Sequence, residues 1–284
     1  MPATTSVSAV PIPERAGPPP APKAPPVSPV SVFILAYNEE HKIEAALASV
    51  TWAGEIVVID SFSTDRTAEI ARRFGARVVQ LEFERFGELR QAGITHTTQP
   101  WIFSLDADER CTPEARDEIL RVIADPESAD AYLVPRRNVM FGREIRHSGW
   151  YPDYRQPQLF RRGRMDYARE DHVHEGYVLR GRLGRLRHPI LQIPYRTISE
   201  IIQKMDRYTT LNAAKLRRHG RTSRFPLAVL RGGWSFFRVY LLQLGFLDGS
   251  AGFLIALLRF ENSFYKHAKC IEATEVDDAR RGPA

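Results

Sequence analysis

Asp106 and Asp108 close an apolar run, Trp101-Ile102-Phe103-Ser104-Leu105-Asp106-Ala107-Asp108-Glu109. On a strand, side chains two residues apart face the same side. The two carboxylates are therefore expected to project together from the end of a buried strand. Nothing within the motif neutralises them. Paired hard oxygen donors suit magnesium or manganese, and such ions in turn hold phosphates. The bland alternative is an acidic surface turn.

The elements that must position them follow a regular alternation. Residues 30–36 and 55–60 form short apolar runs expected to be buried strands, with a helical pattern over 39–50 between them. Ser63-Thr64-Asp65 can cap a helix over 66–74, which Gly75 can end. A strand over 76–82, a helix over 87–96 and the strand ending at Asp106 come next. Thr112-Pro113 opens a further helix. This order argues for an α/β fold with an open, mostly parallel sheet and helices on both faces. Such sheets bind ligands beyond the carboxyl ends of their strands. Asn38, Asp60, Asp106 and Asp108 all fall at such ends. Residues 131–135 and 158–160 are expected to be strands, separated by a polar, aromatic loop over 142–153.

Each strand-end motif has two readings. In Ala36-Tyr37-Asn38-Glu39-Glu40, an aromatic and a carboxylate can hold a nucleobase and ribose, or Asn38 caps a helix. Asp60 can accept hydrogen bonds from a base or ribose, while Ser63 and Asp65 read first as capping groups. The segment Arg169-Glu170-Asp171-His172-Val173-His174-Glu175 gathers three acids and two histidines. A carboxylate there can act as general base, or pair with surrounding arginines.

Ala-Tyr-Asn-Glu-Glu at 36–40, Val-Val-Ile-Asp-Ser-Phe-Ser-Thr-Asp-Arg-Thr at 57–67 and Ser-Leu-Asp-Ala-Asp-Glu at 104–109, in that order, resemble the GT-A nucleotide-sugar glycosyltransferases of family 2. Within it the chain is most similar to the lipopolysaccharide-core β-1,4-glucosyltransferase branch. The likeness takes in Gln158-Leu159-Phe160-Arg161-Arg162, Val173-His174-Glu175, Lys204-Met205-Asp206-Arg207-Tyr208 and Gly245-Phe246-Leu247-Asp248-Gly249, and covers residues 30–268. It implies a Rossmann-like GT-A domain, a Mn2+ or Mg2+ cofactor and a nucleotide-sugar donor, UDP-linked first. Tyr37 and Glu39 would contact the nucleotide, Asp60 its base or ribose, and Arg90 the donor phosphates or sugar. Asp108 would bind the metal directly. Asp106 would bind the ribose or reach the metal through water. The implied reaction is inverting transfer of a sugar, glucose first, to a lipid-linked or lipopolysaccharide-core acceptor. Glu175 would be the base, with Asp171 the runner-up and His174 lining the site or reaching the metal. Phe62 departs from the family, where many relatives have Gly, and implies a differently shaped loop.

The remaining sequence sets the surroundings. Residues 1–29 are Pro-rich and expected to be a disordered tail, with nothing resembling a secretory signal. The catalytic domain is expected over 30–197, helices over 198–270 and a flexible tail over 271–284. Two cysteines make neither a disulfide framework nor a metal cluster. The net charge of +6 calls for anionic partners. Nucleic acid is not expected, because acids occupy the ligand-facing strand ends. Arg161, Arg162, Arg164, Arg169, Arg180, Arg182, Arg185 and Arg187 lie near the candidate base in sequence, and either recognise a phosphorylated acceptor or form solvated strand charge. Trp150 and Tyr151 either stack on a sugar or pack in the core. The apolar stretches over 225–245 and 254–260 fall short of an uninterrupted span of about 20 residues. Arg217, Arg224, Arg231 and Arg238 recur every seven residues beside Trp234, Phe236, Phe237, Tyr240 and Leu241. That pattern fits an interfacial helix on anionic lipid, or one packed on the catalytic sheet. The expected location is the cytoplasm, peripheral on the inner face of the cytoplasmic membrane. The alternative enzyme class is a nucleotidyltransferase. It shares sheet, metal and nucleotide, but the glycine-rich, lysine-bearing loop such enzymes often carry after the first strand is missing.

Overall fold

The structure, a computed structural model, describes residues 28–82, 85–168, 176–220 and 222–281. Its centre is built from strands β1 (Val30–Ala36), β2 (Glu55–Asp60), β3 (Arg77–Gln80) and β4 (Trp101–Asp106), all parallel and in the order β3-β2-β1-β4. Strand β1 reads Val-Ser-Val-Phe-Ile-Leu-Ala and is buried on both faces. Such a run without polar alternation is what a central parallel strand requires. Helices α1 (Ile43–Ala48), α2 (Thr67–Arg73) and α3 (Phe86–His96) make the crossovers. Helix α1 is shorter than the sequence pattern, because residues 39–42 form a turn instead.

After β4 the chain makes a short strand β5 (Glu109–Arg110) and helix α4 (Pro113–Ala124), whose Thr112 side chain accepts the Ala115 N–H at 3.2 Å. Strands β6 (Ala131–Leu133), β7 (Arg136–Met140), β8 (Arg143–Ile145), β9 (Leu159–Arg161), β10 (Met165–Tyr167), β11 (Tyr177–Leu179), β12 (Leu183–Arg185) and β13 (Ile190–Gln192) follow. Strand β8 lies within the stretch expected to be loop. The central sheet completes as β3-β2-β1-β4-β9-β6-β12, with β9 alone running against its neighbours. A second sheet has the order β5-β13-β7-β8, and β10 pairs with β11. Apolar clusters fill both faces of the central sheet, one around Ile34, Leu47 and Phe103, the other around Phe33, Ile59 and Phe160.

The C-terminal part is helical: α5 (Ile198–Arg218), α6 (Phe225–Phe237), a π-helical turn (Arg238–Leu242), a 3₁₀ turn (Gly245–Asp248) and α7 (Gly249–Arg281). Helix α7 continues to Arg281, past Cys270 where the flexible tail was expected to begin. Met140, Ile145, Ile201, Val239, Ala251 and Ile255 share one buried cluster, so these helices are packed on the second sheet. Arg217 lies on α5, and Arg224, Arg231 and Arg238 come after a break. The heptad of arginines is therefore not one continuous stripe.

The corner before α7 leaves no room for a side chain at Gly252. A Cβ there would sit 1.8 Å from the Gly245 carbonyl oxygen and 2.7 Å from its carbonyl carbon. Both are backbone atoms and cannot rotate away. Gly252→Ala is expected to lower stability by about 3 kcal/mol, the upper range for overpacking. A urea unfolding midpoint equal to the parent's would contradict this close approach.

Candidate active site

Strand β4 ends at Asp106, and the chain turns there rather than extending. Asp108 sits in the turn, so the same-side argument from strand alternation does not apply. The turn still keeps the carboxylates close, and Glu109 is what holds it. Fully buried, Glu109 accepts the Asp106 N–H at 2.9 Å, the Gln158 side-chain amide at 2.9 Å and Arg136 Nε at 2.5 Å. Arg136 comes from β7 and is itself almost wholly buried.

The two aspartates have opposite electrostatics. Burial raises the Asp106 carboxyl, but the Arg90 guanidinium beside it, with Arg136 and Arg155 farther off, outweighs burial and holds it below the ordinary carboxylate value. Arg90 lies 2.9 and 3.1 Å from the two Asp106 oxygens and donates to Ser104 Oγ at 3.1 Å. It is buried beneath Asp106, from α3. Asp108 is pushed up to about 7, first by burial and then by the charges of Asp106 and Glu109. Its hydrogen bonds from Gln192 Nε2 are long, 3.4 and 3.5 Å. The buried Gln192 Oε1 has no hydrogen-bond partner among the described residues.

The ends of β1 and β2 are laced together. Asn38 adopts φ +54° and accepts the Thr64 N–H at 2.8 Å, while its own N–H donates to Ser63 Oγ at 2.9 Å. It is a clasp between two loops, not a cap on α1. Asp65 accepts the Thr67 N–H at 2.9 Å and the Glu40 N–H at 3.0 Å, the capping role expected of it. Asp60 is buried and accepts from Ser63 N–H, Ser63 Oγ at 2.5 Å and Gln80 Nε2 at 3.2 Å. Tyr37 is exposed beside this clasp. Phe62 has φ +57°, a conformation glycine adopts without strain, with its ring in solvent. The loop thus keeps a glycine-type backbone despite the bulky residue.

A charge network reaches the site from the C-terminal part. Lys42 is buried, 3.2 Å from Glu39 and in contact with Glu200 of α5. Lys204 lies 3.4 Å from Glu200 and 3.9 Å from Glu39. Burial works to lower the Lys204 ammonium, but Glu39, Asp108 and Glu200 together hold it above its ordinary value. Sequence reasoning missed Lys42, Gln192 and Glu200. Thr197-x-x-Glu200 is a capping pair, with the Thr197 side chain accepting the Glu200 N–H, and that spacing was the one local signal for Glu200.

Arg161 and Arg162 lie away from this site. Because β9 runs against β4, Arg161 pairs with Trp101, at the opposite end of β4 from Asp106. That is about 17 Å away at strand spacing. Arg161 stacks over Trp101 at 4.5 Å, and Arg162 donates to Gln99 O at 2.9 Å. Arg164 pairs with Asp130, Arg180 with Asp166, and Arg182 donates to Glu127 O. Arg185 stacks over Tyr154. Each of these six thus has a contact within the fold. Arg169, Asp171, His174 and Glu175 lie outside the described residues. The segment's flanks are joined by Ala168 N–H to Gly176 O at 2.8 Å, and Tyr167 beside it lies 5.9 Å from Arg90. Trp150 is packed against the C-terminal cluster, and Tyr151 is exposed.

Asp106 and Asp108 at the end of β4 lie across the β1/β4 switch point from Tyr37 and Glu39, the place at which open α/β sheets have their ligand-binding crevice. The sequence profile of glycosyl transferase family 2 matches residues 31–182, more than half of the chain, and spans this crevice. The chain belongs to glycosyl transferase family 2. The nucleotidyltransferase alternative falls with that match. Among its relatives, the lipopolysaccharide core biosynthesis glycosyltransferase LpsC of Rhizobium meliloti is 28% identical, over 89% of this chain and 98% of its own. A glycosyltransferase of Rickettsia bellii is 26% identical over 88% of this chain and 91% of its own. A crystal structure of glucosyl-3-phosphoglycerate synthase from Mycobacterium tuberculosis, with Mn2+, UDP and glucosyl-3-phosphoglycerate, is 26% identical with a TM-score of 0.34. It covers 39% of this chain and 44% of that one, so the match spans less than half of that enzyme.

In this glycosyltransferase the buried Glu109–Arg136 pair is expected to hold the turn that carries Asp108. Glu109→Gln keeps the shape but strands a buried guanidinium. Removing one partner of such a pair costs about 3–5 kcal/mol. Chemical denaturation checks this, and a loss under about 1 kcal/mol would show that Arg136 finds another partner.

Proposed function

We propose that this family 2 glycosyltransferase moves a hexose, glucose first, from a UDP-sugar with inversion to a lipid-linked or lipopolysaccharide-core acceptor at the inner face of the cytoplasmic membrane. The observation that carries the reading is Asp108, crowded by Asp106 and Glu109 and answered only in part by Lys204 and Lys42. Two neighbouring carboxylates and an orphaned amide oxygen favour a cation. Among the described residues no group of three His, Cys, Asp or Glu side chains could hold a metal. That fits an ion bound by one or two carboxylates and completed by substrate phosphates, as magnesium commonly is. Asp108 and Asp106 would hold Mn2+ or Mg2+, which when bound stabilises the negative charge gathering on the departing diphosphate. Arg90 keeps Asp106 ionised and aimed. Tyr37 lies exposed beside the crevice for the base, and Glu39, fixed by Lys42, faces the nucleotide side. Lys204 adds a positive charge over the diphosphate. Glu175, with Asp171 as alternative, takes the proton of the attacking hydroxyl, and His174 lines that side. LpsC, a lipopolysaccharide core glycosyltransferase matched over nearly its whole length, supports the acceptor class.

The location rests on the exposed apolar residues of the C-terminal part. Leu230 is 70% exposed, Phe225 62%, Trp234 58% and Leu242 58%. Between Asp206 and Asp248 the chain carries no acidic residue and eight arginines and lysines. Exposed aromatic and aliphatic groups within an acid-free basic stretch suit the surface of an anionic bilayer. No single described helix is long and apolar enough to cross a membrane. By length and composition alone, the pair Phe225–Leu242 and Gly245–Glu275, bent by 71°, could together do so.

Two measurements test the reading. UDP binding by calorimetry is expected to need Mn2+ and to weaken more than tenfold in Asp108→Asn. Because the carboxyl of Asp108 titrates near 7, it must lose a proton to bind a cation, so Mn2+-dependent affinity should fall as pH drops from about 8 to 6. Metal-independent UDP binding would defeat the donor site. On vesicles of phosphatidylethanolamine and phosphatidylglycerol, the protein is expected to co-sediment, less so at high salt. Leu230→Asp with Trp234→Asp should release it while UDP binding persists. Co-sedimentation unaffected by these changes would place the contact elsewhere.

A further inference from the structure

The connection from β13 to α5 touches both the turn after β4 and the loop after β1. Gln192, the last residue of β13, donates toward Asp108 at 3.4 and 3.5 Å. Ile193 N–H donates to the Asp108 backbone carbonyl at 2.9 Å. The next residue, Pro194, turns its carbonyl to Lys42 Nζ at 3.4 Å. Thr197 then caps α5, and Glu200 in the first turn accepts the Arg196 N–H at 2.8 Å. One short segment therefore holds Asp108 at one end and reaches the loop of Glu39 at the other.

Lys42 is where that segment grips the loop. An ammonium offers three N–H donors. Buried at 4% exposure, Lys42 meets three oxygens with them: Glu39 at 3.2 Å, Pro194 O at 3.4 Å and Glu200. Lys204 repeats the pairing from α5, 3.4 Å from Glu200 and 3.9 Å from Glu39. Two ammonium groups and two carboxylates thus alternate in a closed ring. Burial works to raise the Glu200 carboxyl, but Lys42, the Arg196 N–H and Lys204 hold it below the ordinary value. Its charge divides the two lysines between two carboxylates. Without it both would fall on Glu39, and the oxygens of Glu39 would be spent on them. With it, the partly exposed Glu39 keeps lone pairs for a ligand.

We infer that Glu200 is a positioning residue for donor binding: by sharing Lys42 and Lys204 with Glu39, it aims the Glu39 carboxylate and leaves it able to accept hydrogen bonds from the donor's nucleoside. This deepens the proposed function and rests on its reading that Glu39 meets the nucleotide. Because the same segment anchors Asp108, the nucleoside and diphosphate ends of the donor are set from one piece of chain. The bland alternative is a salt link that only ties α5 to the sheet.

Calorimetric titration of UDP with Mn2+ into the full chain separates the two. Glu200→Gln is expected to weaken UDP about tenfold, as loss of a charge-assisted hydrogen bond predicts. That variant leaves Lys42 buried with one carboxylate fewer, so a second is needed. Lys42→Met with Glu200→Leu removes both buried charges together, which a fold tolerates better than a broken pair. It should keep the parent's thermal midpoint and weaken UDP by a similar factor. In a Glu39→Gln background the paired change should cost no further affinity, because Glu200 acts through Glu39. A salt link alone predicts the opposite: UDP affinity at the wild-type value in both Glu200 variants, or an equal loss with and without Glu39→Gln. Either result overturns the inference, as does a Glu39→Gln variant that binds UDP as wild type does. Absence of UDP binding by wild type would defeat the donor reading and take the inference with it.

Discussion

A carboxylate with no access to water must be answered by the protein, and Glu109 is answered three times over. Its partners come from the end of β4, from β7 and from the residue before β9. Charge-assisted bonds in so dry a place are short and hard to exchange. The turn after β4 is consequently fixed, and Asp108 cannot swing away from Asp106. The strain of two like charges side by side is maintained by a third, buried one. Without that anchor the turn would be free to part the two carboxylates.

The arrangement then splits the work between the aspartates. Asp106 has Arg90 beneath it and is settled as an anion. Asp108, with long contacts from Gln192, is crowded by the charges of Asp106 and Glu109 and favours added positive charge. Lys204 supplies some from α5, an element more than ninety residues farther along the chain. The crevice is therefore not the property of the Rossmann-like half alone. It is bordered by a helix, capped by Thr197, whose first-turn Glu200 also binds Lys42.

Much of the fold was legible because β1, β2 and β4 are buried on both faces and so appear as unbroken apolar runs. The strand-end residues were legible for the same reason, since a polar group that ends such a run stands out. What failed had no local signature. The place of Asp108 depends on a turn that alternation cannot foresee. Where the arginines after Phe160 lie could not be foreseen, because the direction of β9 is a matter of topology. Along the chain they neighbour the candidate base, but the antiparallel register carries Arg161 to the far end of β4. Lys42 and Glu200 are common surface residue types, and nothing in their spacing announces that they meet. Helix α7 outlasted its apolar pattern, continuing to Arg281 through a polar segment.

The shared salt links have a mechanical meaning. Lys42 and Lys204 both lean on Glu39 and Glu200, so lifting α5 off the β1 loop would cost each lysine one of its two carboxylates. Helices α5, α6 and α7 pack on one another and on the second sheet, and the apolar face travels with them. If that face rests on lipid, the crevice stands at a constant height above it, set by rigid geometry rather than by a tether. Such an enzyme would measure its substrates: only a hydroxyl carried at that elevation from the bilayer would come within reach.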